Sequence, residues 1–190
     1  GNGYSEEWVR EAERRGLLNV ASSPAIFPAM TAQKNVELFT RHGVMSETEL
    51  RSRQEILFEN YAKIVNIEAL TMIEMASRDI IPAVSQYSGK LAASANAVQA
   101  FDAGIDCTLE HELVAKLAGL NRQASICLRR LKEAESRAAS IKPARALAEH
   151  YRDEVIPAME DLREYVDAME TLTDAEDWPY PSYGDVMLRV

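Results

Sequence analysis

Two carboxylates, Glu68 and Glu74, fall in the apolar middle of a long helical stretch, and acids turned into a helical bundle are the raw material of a di-metal carboxylate site. Such sites pair the acids with Glu-x-x-His, which puts both ligands on one helix face. The three histidines are His42, His111 and His150, and the residues three before them are Phe39, Thr108 and Leu147. No HExxH or HxxxH spacing occurs either. His111, between Glu110 and Glu112 near a helix start, reads as structural or solvated. Glu68 reads as a buried hydrogen-bonded group or an interface contact, because a buried charge demands partners. Glu59 with Lys63 and Glu74 with Arg78 have the spacing of exposed helix pairs. Cys107 and Cys127 lie outside any CxxC or Cys/His cluster and read as reduced thiols, a single disulfide being the lesser reading. No Walker loop, nucleophile elbow or Rossmann fingerprint is present, so no catalytic, cofactor-binding or metal-binding residue is assigned.

The elements that would have to position any site are helices. The stretch 46–87 reads as one very long helix, the spine of the molecule. Its start is marked by Ser46 and Glu49, which can cap each other's amides, with Met45 placed to staple onto Leu50. Phe58, Val65, Ala69, Met72, Ala76, Ile80, Val84 and Tyr87 recur on one face, while Ile56, Ile67, Leu70 and Ile81 lie on others. Apolar residues on several faces predict several covering neighbours. Pro82 falls inside the spine, removing an amide and crowding the Arg78 carbonyl, which predicts a kink and not an end. Gly89 predicts a short break before a helix over Leu91–Phe101.

Before the spine, Ser5 to Arg15 reads as a helix capped by Ser5 and closed by Gly16. A proline-interrupted connector, Leu17 to Met30, follows, then a second short helix capped by Thr31 and stopped at Gly43. After the spine, Leu113, Leu117, Leu120, Ala124, Cys127, Leu131, Ala134 and Ala138 alternate steps of four and three within a helix over 108–139. Pro143 suits the first position of the next helix, whose seam runs through Leu147, Tyr151, Val155, Ala158, Leu162, Tyr165, Met169 and Leu172. The two should form an antiparallel hairpin. Glu154 to Met159 echoes Asp79 to Val84, which predicts matched kinks at Pro157 and Pro82. The tail, 174–190, contains Trp178-Pro179-Tyr180-Pro181 and should run extended over a surface that its aromatics cover. The expected architecture is an all-α bundle of long antiparallel helices, 46–173, with short N-terminal helices and connector in 1–45 and the aromatic tail in 174–190, together one domain. Trp178, Tyr180 and Tyr183 are its candidate interface residues.

Length and charge narrow the function classes. A chain of 190 residues can bury roughly 70% of its unfolded surface and needs no disulfide or metal staple. With 21 Lys and Arg against 30 Asp and Glu, the net charge of -9 disfavours nucleic-acid and anionic-membrane partners. No window approaches the ~20 consecutive apolar residues of a membrane span. Gly1 stands where an initiator Met is expected, and the chain reads as a cytosolic piece of something longer.

Several stretches, in order, carry a resemblance. They are Asn2-Gly3-Tyr4-Ser5-Glu6-Glu7-Trp8, Arg15-Gly16-Leu17-Leu18-Asn19, Glu37-Leu38-Phe39 with His42-Gly43-Val44, Glu59-Asn60-Tyr61, and Asn66-Ile67-Glu68-Ala69-Leu70-Thr71. Then come Tyr151-Arg152-Asp153-Glu154-Val155-Ile156-Pro157-Ala158-Met159 and Trp178-Pro179-Tyr180-Pro181-Ser182-Tyr183-Gly184-Asp185. Together they resemble the C-terminal region of type III glutamine synthetases over nearly the whole chain, with a minor departure at Ser182, where Thr is expected. The resemblance implies a parent that condenses glutamate with ammonia through a γ-glutamyl phosphate in a large ring-based oligomer, using ATP and a divalent metal, Mg or Mn. It places the catalytic core and its metal-binding glutamates upstream of this region, and no catalytic residue is carried over. The segment is then a cytoplasmic helical appendage serving assembly, stability or regulation, with its own catalytic core and neighbouring subunits as partners. The alternative is a free-standing helical adaptor that binds a partner peptide or small ligand.

Overall fold

Ser46 and Glu49 form the reciprocal cap that their spacing calls for: the Glu49 amide donates to Ser46 Oγ at 3.3 Å and the Ser46 amide to Glu49 Oε2 at 2.7 Å. The Ser46 amide, and then the Ser46 hydroxyl, which also donates to Glu49 Oε2, hold the Glu49 carboxyl below the usual carboxylate range. In the computed structural model, which describes residues 3–17, 19–181 and 183–188 (backbone alone at Tyr183 and Leu188), this cap opens a helix over Glu47–Met75. The described residues are all-α, without strands. They divide into two compact units, Gly1–Lys63 with Lys142–Arg152, and Ile64–Ile141 with Asp153–Val190.

The first unit contains α1 (Glu6–Arg14), α2 (Ser23–Ile26), a 3-10 turn (Phe27–Thr31), α3 (Gln33–Arg41), the first part of α4 (Glu47–Met75) and α7 (Ala144–His150). Ser5 Oγ caps α1 by accepting from the Trp8 amide. Gly16 and Gly43 end α1 and α3 at φ of 71° and 61°, and the amides that follow, Leu17 and Val44, return to the Ala12 and Phe39 carbonyls. The connector is more ordered than a proline-broken link, since Pro24 and Pro28 sit in the first turns of α2 and the 3-10 turn, where a missing amide costs little. Thr31 does not cap α3. Its hydroxyl accepts instead from Gln54 Nε2, which also donates to the Phe27 carbonyl, so the α3 cap falls to Ala32. Phe27 meets Phe58 edge-on, with centroids 5.1 Å apart.

In the second unit the last part of α4, α5 (Ile81–Phe101) and α8 (Ile156–Glu170) accompany α6 (Thr108–Ala138), and α9 (Tyr183–Leu188) closes the chain. A π turn over Ala76–Ile80 precedes Ile81-Pro82, and a second over Tyr151–Val155 precedes Ile156-Pro157. The sequence echo is therefore a structural one. A π turn reaches five residues back instead of four, which takes up the misfit and leaves each proline in the first turn of the helix that follows. Gly89 makes no break. It lies inside α5, where an added Cβ would meet no atom within 4 Å. Pro143 caps α7 and does not begin it, one residue earlier than its spacing suggests.

α6 packs against α5 and α8. Its seam is buried as expected at Leu117, Ala124, Cys127, Leu131, Ala134 and Ala138, with Leu113 and Leu120 half-buried. Across from it Val155, Leu162 and Met169 of the second seam are buried, and on the spine Val65, Ala69, Ala76, Ile80 and Val84. Both cysteines are free and buried, and loss of hydration pushes both thiols up. Of the residues on the spine's other faces, Ile81 is half-buried while Ile56, Ile67 and Leu70 remain 50%, 64% and 46% exposed, with Ile64 beside them at 57%.

Two substitutions test this packing in urea. Leu131→Ala, at a site with no exposure, should lower stability by about 2–5 kcal/mol. Gly89→Ala, in open helical space, should raise it by about 0.4–1 kcal/mol. A fall for the second would mean that position 89 needs the freedom of glycine.

Candidate functional site

Glu170 ends α8, and Thr171, Leu172 and Thr173 close the turn through amide and hydroxyl bonds to Met169 and its neighbours. Asp174 then folds a tight turn. Its carbonyl accepts from the Asp177 and Trp178 amides and its carboxylate from the Glu176 amide. The turn brings Asp177 to Lys90 on α5, an ion pair and hydrogen bond that hold the ammonium above its ordinary range. Three residues on, the Tyr180 hydroxyl donates to Asp79 Oδ2 at 2.5 Å, inside the first π turn. The expectation of extended chain to the end fails at Tyr183, where α9 begins.

This pinned strap forms one wall of an open apolar cleft of about 670 Å³. Met72 and Met75 line it from α4, Val166 from α8, and Trp178, Tyr180 and Pro181 from the tail. Its charged lining is Glu68, Arg163, Asp167 and Glu170, three carboxylates against one cation, and Arg163 Nε already pairs with Asp167 at 3.3 Å. The edge of the cleft is therefore acidic. Of the candidate interface residues, Trp178 and Tyr180 meet at this cleft, and the side chain of Tyr183 lies outside the described residues.

Glu68 is exposed at this edge and not buried in the bundle. Glu74 pairs with Arg78 at 2.9 Å and Glu59 with Lys63 at 3.4 Å, both on solvated faces. His42 and His111 are exposed, and His150 is half-buried with its ring edge-on to Tyr151. Among the described residues no three His, Cys, Asp or Glu side chains come together as metal ligands. The cleft can hold an apolar surface. Sequence reasoning missed the cleft because Met72 falls on the core-facing stripe. The available signal was Ile67 and Leu70, apolar yet off that stripe.

A family model described as the glutamine synthetase C-terminal domain matches residues 1–99. The chain is 35% identical over all of its 190 residues to a glutamine synthetase of Butyrivibrio fibrisolvens, covering 27% of that protein. It is 29% identical to a type-3 glutamine synthetase of Dictyostelium discoideum, with 98% of this chain and 26% of the relative covered. Against a glutamine synthetase of Bacteroides fragilis (strain YCH46) it is 27% identical, again covering 98% of this chain and 26% of the relative. The chain thus spans about a quarter of the length of these relatives.

The strap has a titration signature. Donation to Asp79, then lost hydration and the nearby Asp79 and Glu74 carboxylates, push the Tyr180 phenol up to about 12. A raised acid favours the neutral phenol in the folded state, so this contribution is complete below the ordinary tyrosine pKa near 10 and is lost as pH rises through about 12. Phenolate absorbance should show a late-titrating component that Tyr180→Phe removes and Asp79→Asn shifts back down. A wild-type titration identical to that of Asp79→Asn would remove the strap bond.

Proposed function

The chain belongs to the glutamine synthetase C-terminal domain family, and from that premise we propose that it is a non-catalytic helical domain of a type III glutamine synthetase, serving assembly, stability or regulation of its parent. The observation that carries this is coverage: the whole chain aligns within enzymes about four times its length. The parent's reaction is the ATP-dependent joining of glutamate and ammonia. ATP and Mg or Mn are assigned to the rest of that parent, a reading supported by the relatives' being glutamine synthetases.

The partners are the parent's catalytic core and neighbouring subunits of a homo-oligomer, in the cytoplasm, with Trp178, Tyr180 and Tyr183 at the interface. Nucleic acid and membrane are not among them. A net charge of -9 supports that reading, and no described helix is long and apolar enough to cross a membrane. A free-standing adaptor is disfavoured by the same coverage.

Two experiments test the reading. The 190-residue chain alone should neither hydrolyse ATP nor form glutamine, and glutamine above background would overturn the non-catalytic role. A parent truncated to lack this region should sediment as smaller species or melt at lower temperature. Unchanged sedimentation, melting and kinetics in the truncated parent would overturn the assembly, stability or regulatory role.

A further inference from the structure

Resting on that reading, we propose that the cleft between α4, α8 and the strap seats an apolar helical segment with basic flanks, supplied by the part of the parent polypeptide outside these 190 residues. Ile67 belongs both to the cleft and to the uncovered stripe of Ile64, Ile67 and Leu70, so the two form one apolar surface. From Ile64 to Met75 it runs about 16 Å along α4, three helical turns. That length suits a helix laid into a groove better than a compact small molecule. Uncovered apolar patches of this kind mark sites of association.

Charge selects among the possible occupants. Among the described residues that line it, Glu68, Asp167 and Glu170 face the occupant, with Arg163 as the one cation beside them. Lys or Arg beside the apolar residues of the incoming segment would meet those carboxylates. A second copy presenting the tip of this same unit has the wrong sign. Besides Val186 and Met187 of α9, 68% and 73% exposed beside Asp185, the described residues of this unit leave uncovered the α5–α6 tip, where Phe101 is 89% and Leu109 73% exposed, and that tip carries Asp102, Asp106 and Glu110. Setting that tip into the cleft would place acid against acid. The relatives, of which this chain spans about a quarter, supply ample further chain for the occupant.

The test is thiol labelling in the full-length parent with an uncharged maleimide, comparing Ile67→Cys with Arg78→Cys, whose native side chain is 74% exposed. Ile67→Cys should label about tenfold more slowly, since thiol reactivity follows access. Adding Glu68→Lys and Glu170→Lys should restore fast labelling by repelling the basic flanks. Equal rates at the two positions would overturn the proposal. So would protection that persists through the charge reversals, that is removed by gel filtration alone and so marks a small ligand, or that appears in the concentrated 190-residue chain and so marks a second copy. Fast labelling of Ile67→Cys in a parent whose assembly still depends on this region would overturn this inference alone, whereas a truncation without effect would overturn the functional reading beneath it.

Discussion

Everything in the larger unit rests on the seam of α6, where Leu117, Ala124, Cys127, Leu131, Ala134 and Ala138 are buried with no polar or charged residue buried among the described residues. Such a seam has only shape to offer. Alanine lets helices approach closely and leucine fills the space between, at the density that makes each methylene count. The ion pairs across the same faces, Arg130 with Asp161 at 3.7 Å and Arg137 with Glu154 at 3.3 Å, are exposed and add little.

That dependence on shape explains the price of the two prolines. A sharp break at Pro82 or Pro157 would pull Ile80, Val84, Val155 and Leu162 out of register with α6, and all four are buried. A π turn before each proline keeps the chain helical through the misfit. The first turn then acquires a second use, because Asp79 within it receives the Tyr180 hydroxyl, and Asn121 of α6 donates to the Ile81 carbonyl just beyond it at 3.2 Å. An irregularity forced by proline becomes the anchor of the tail.

Much of this fold was legible because helices announce themselves locally. The Ser46 cap, Gly16, Gly43 and both heptad seams depend on spacing alone. Local rules failed where a distant residue competed. Thr31 has the chemistry of a cap, but Gln54 claims its hydroxyl. Gly89 looks like a break only until the helix on either side holds it. α9 follows two prolines that argue for extended chain, and its start at Tyr183 had no signal strong enough to oppose them. The cleft was least legible, since it is a space between α4, α8 and a tail pinned by contacts as distant in sequence as Lys90 with Asp177.

The apolar residues off the seam carry the final distinction. Periodicity identifies Val65, Ala69, Met72 and Ala76 as a face, but it cannot say whether Ile64, Ile67 and Leu70 beside them face a second neighbour in the same chain or none. Among the described residues all three stay largely exposed, with Ile67 at the edge of the cleft, and Glu68 stands among them. A stripe meant only for water would carry charge at those three positions, and one meant for this chain's own core would exclude Glu68. Apolar side chains interleaved with a carboxylate satisfy neither demand. They satisfy a partner that brings its own apolar face and its own positive charge.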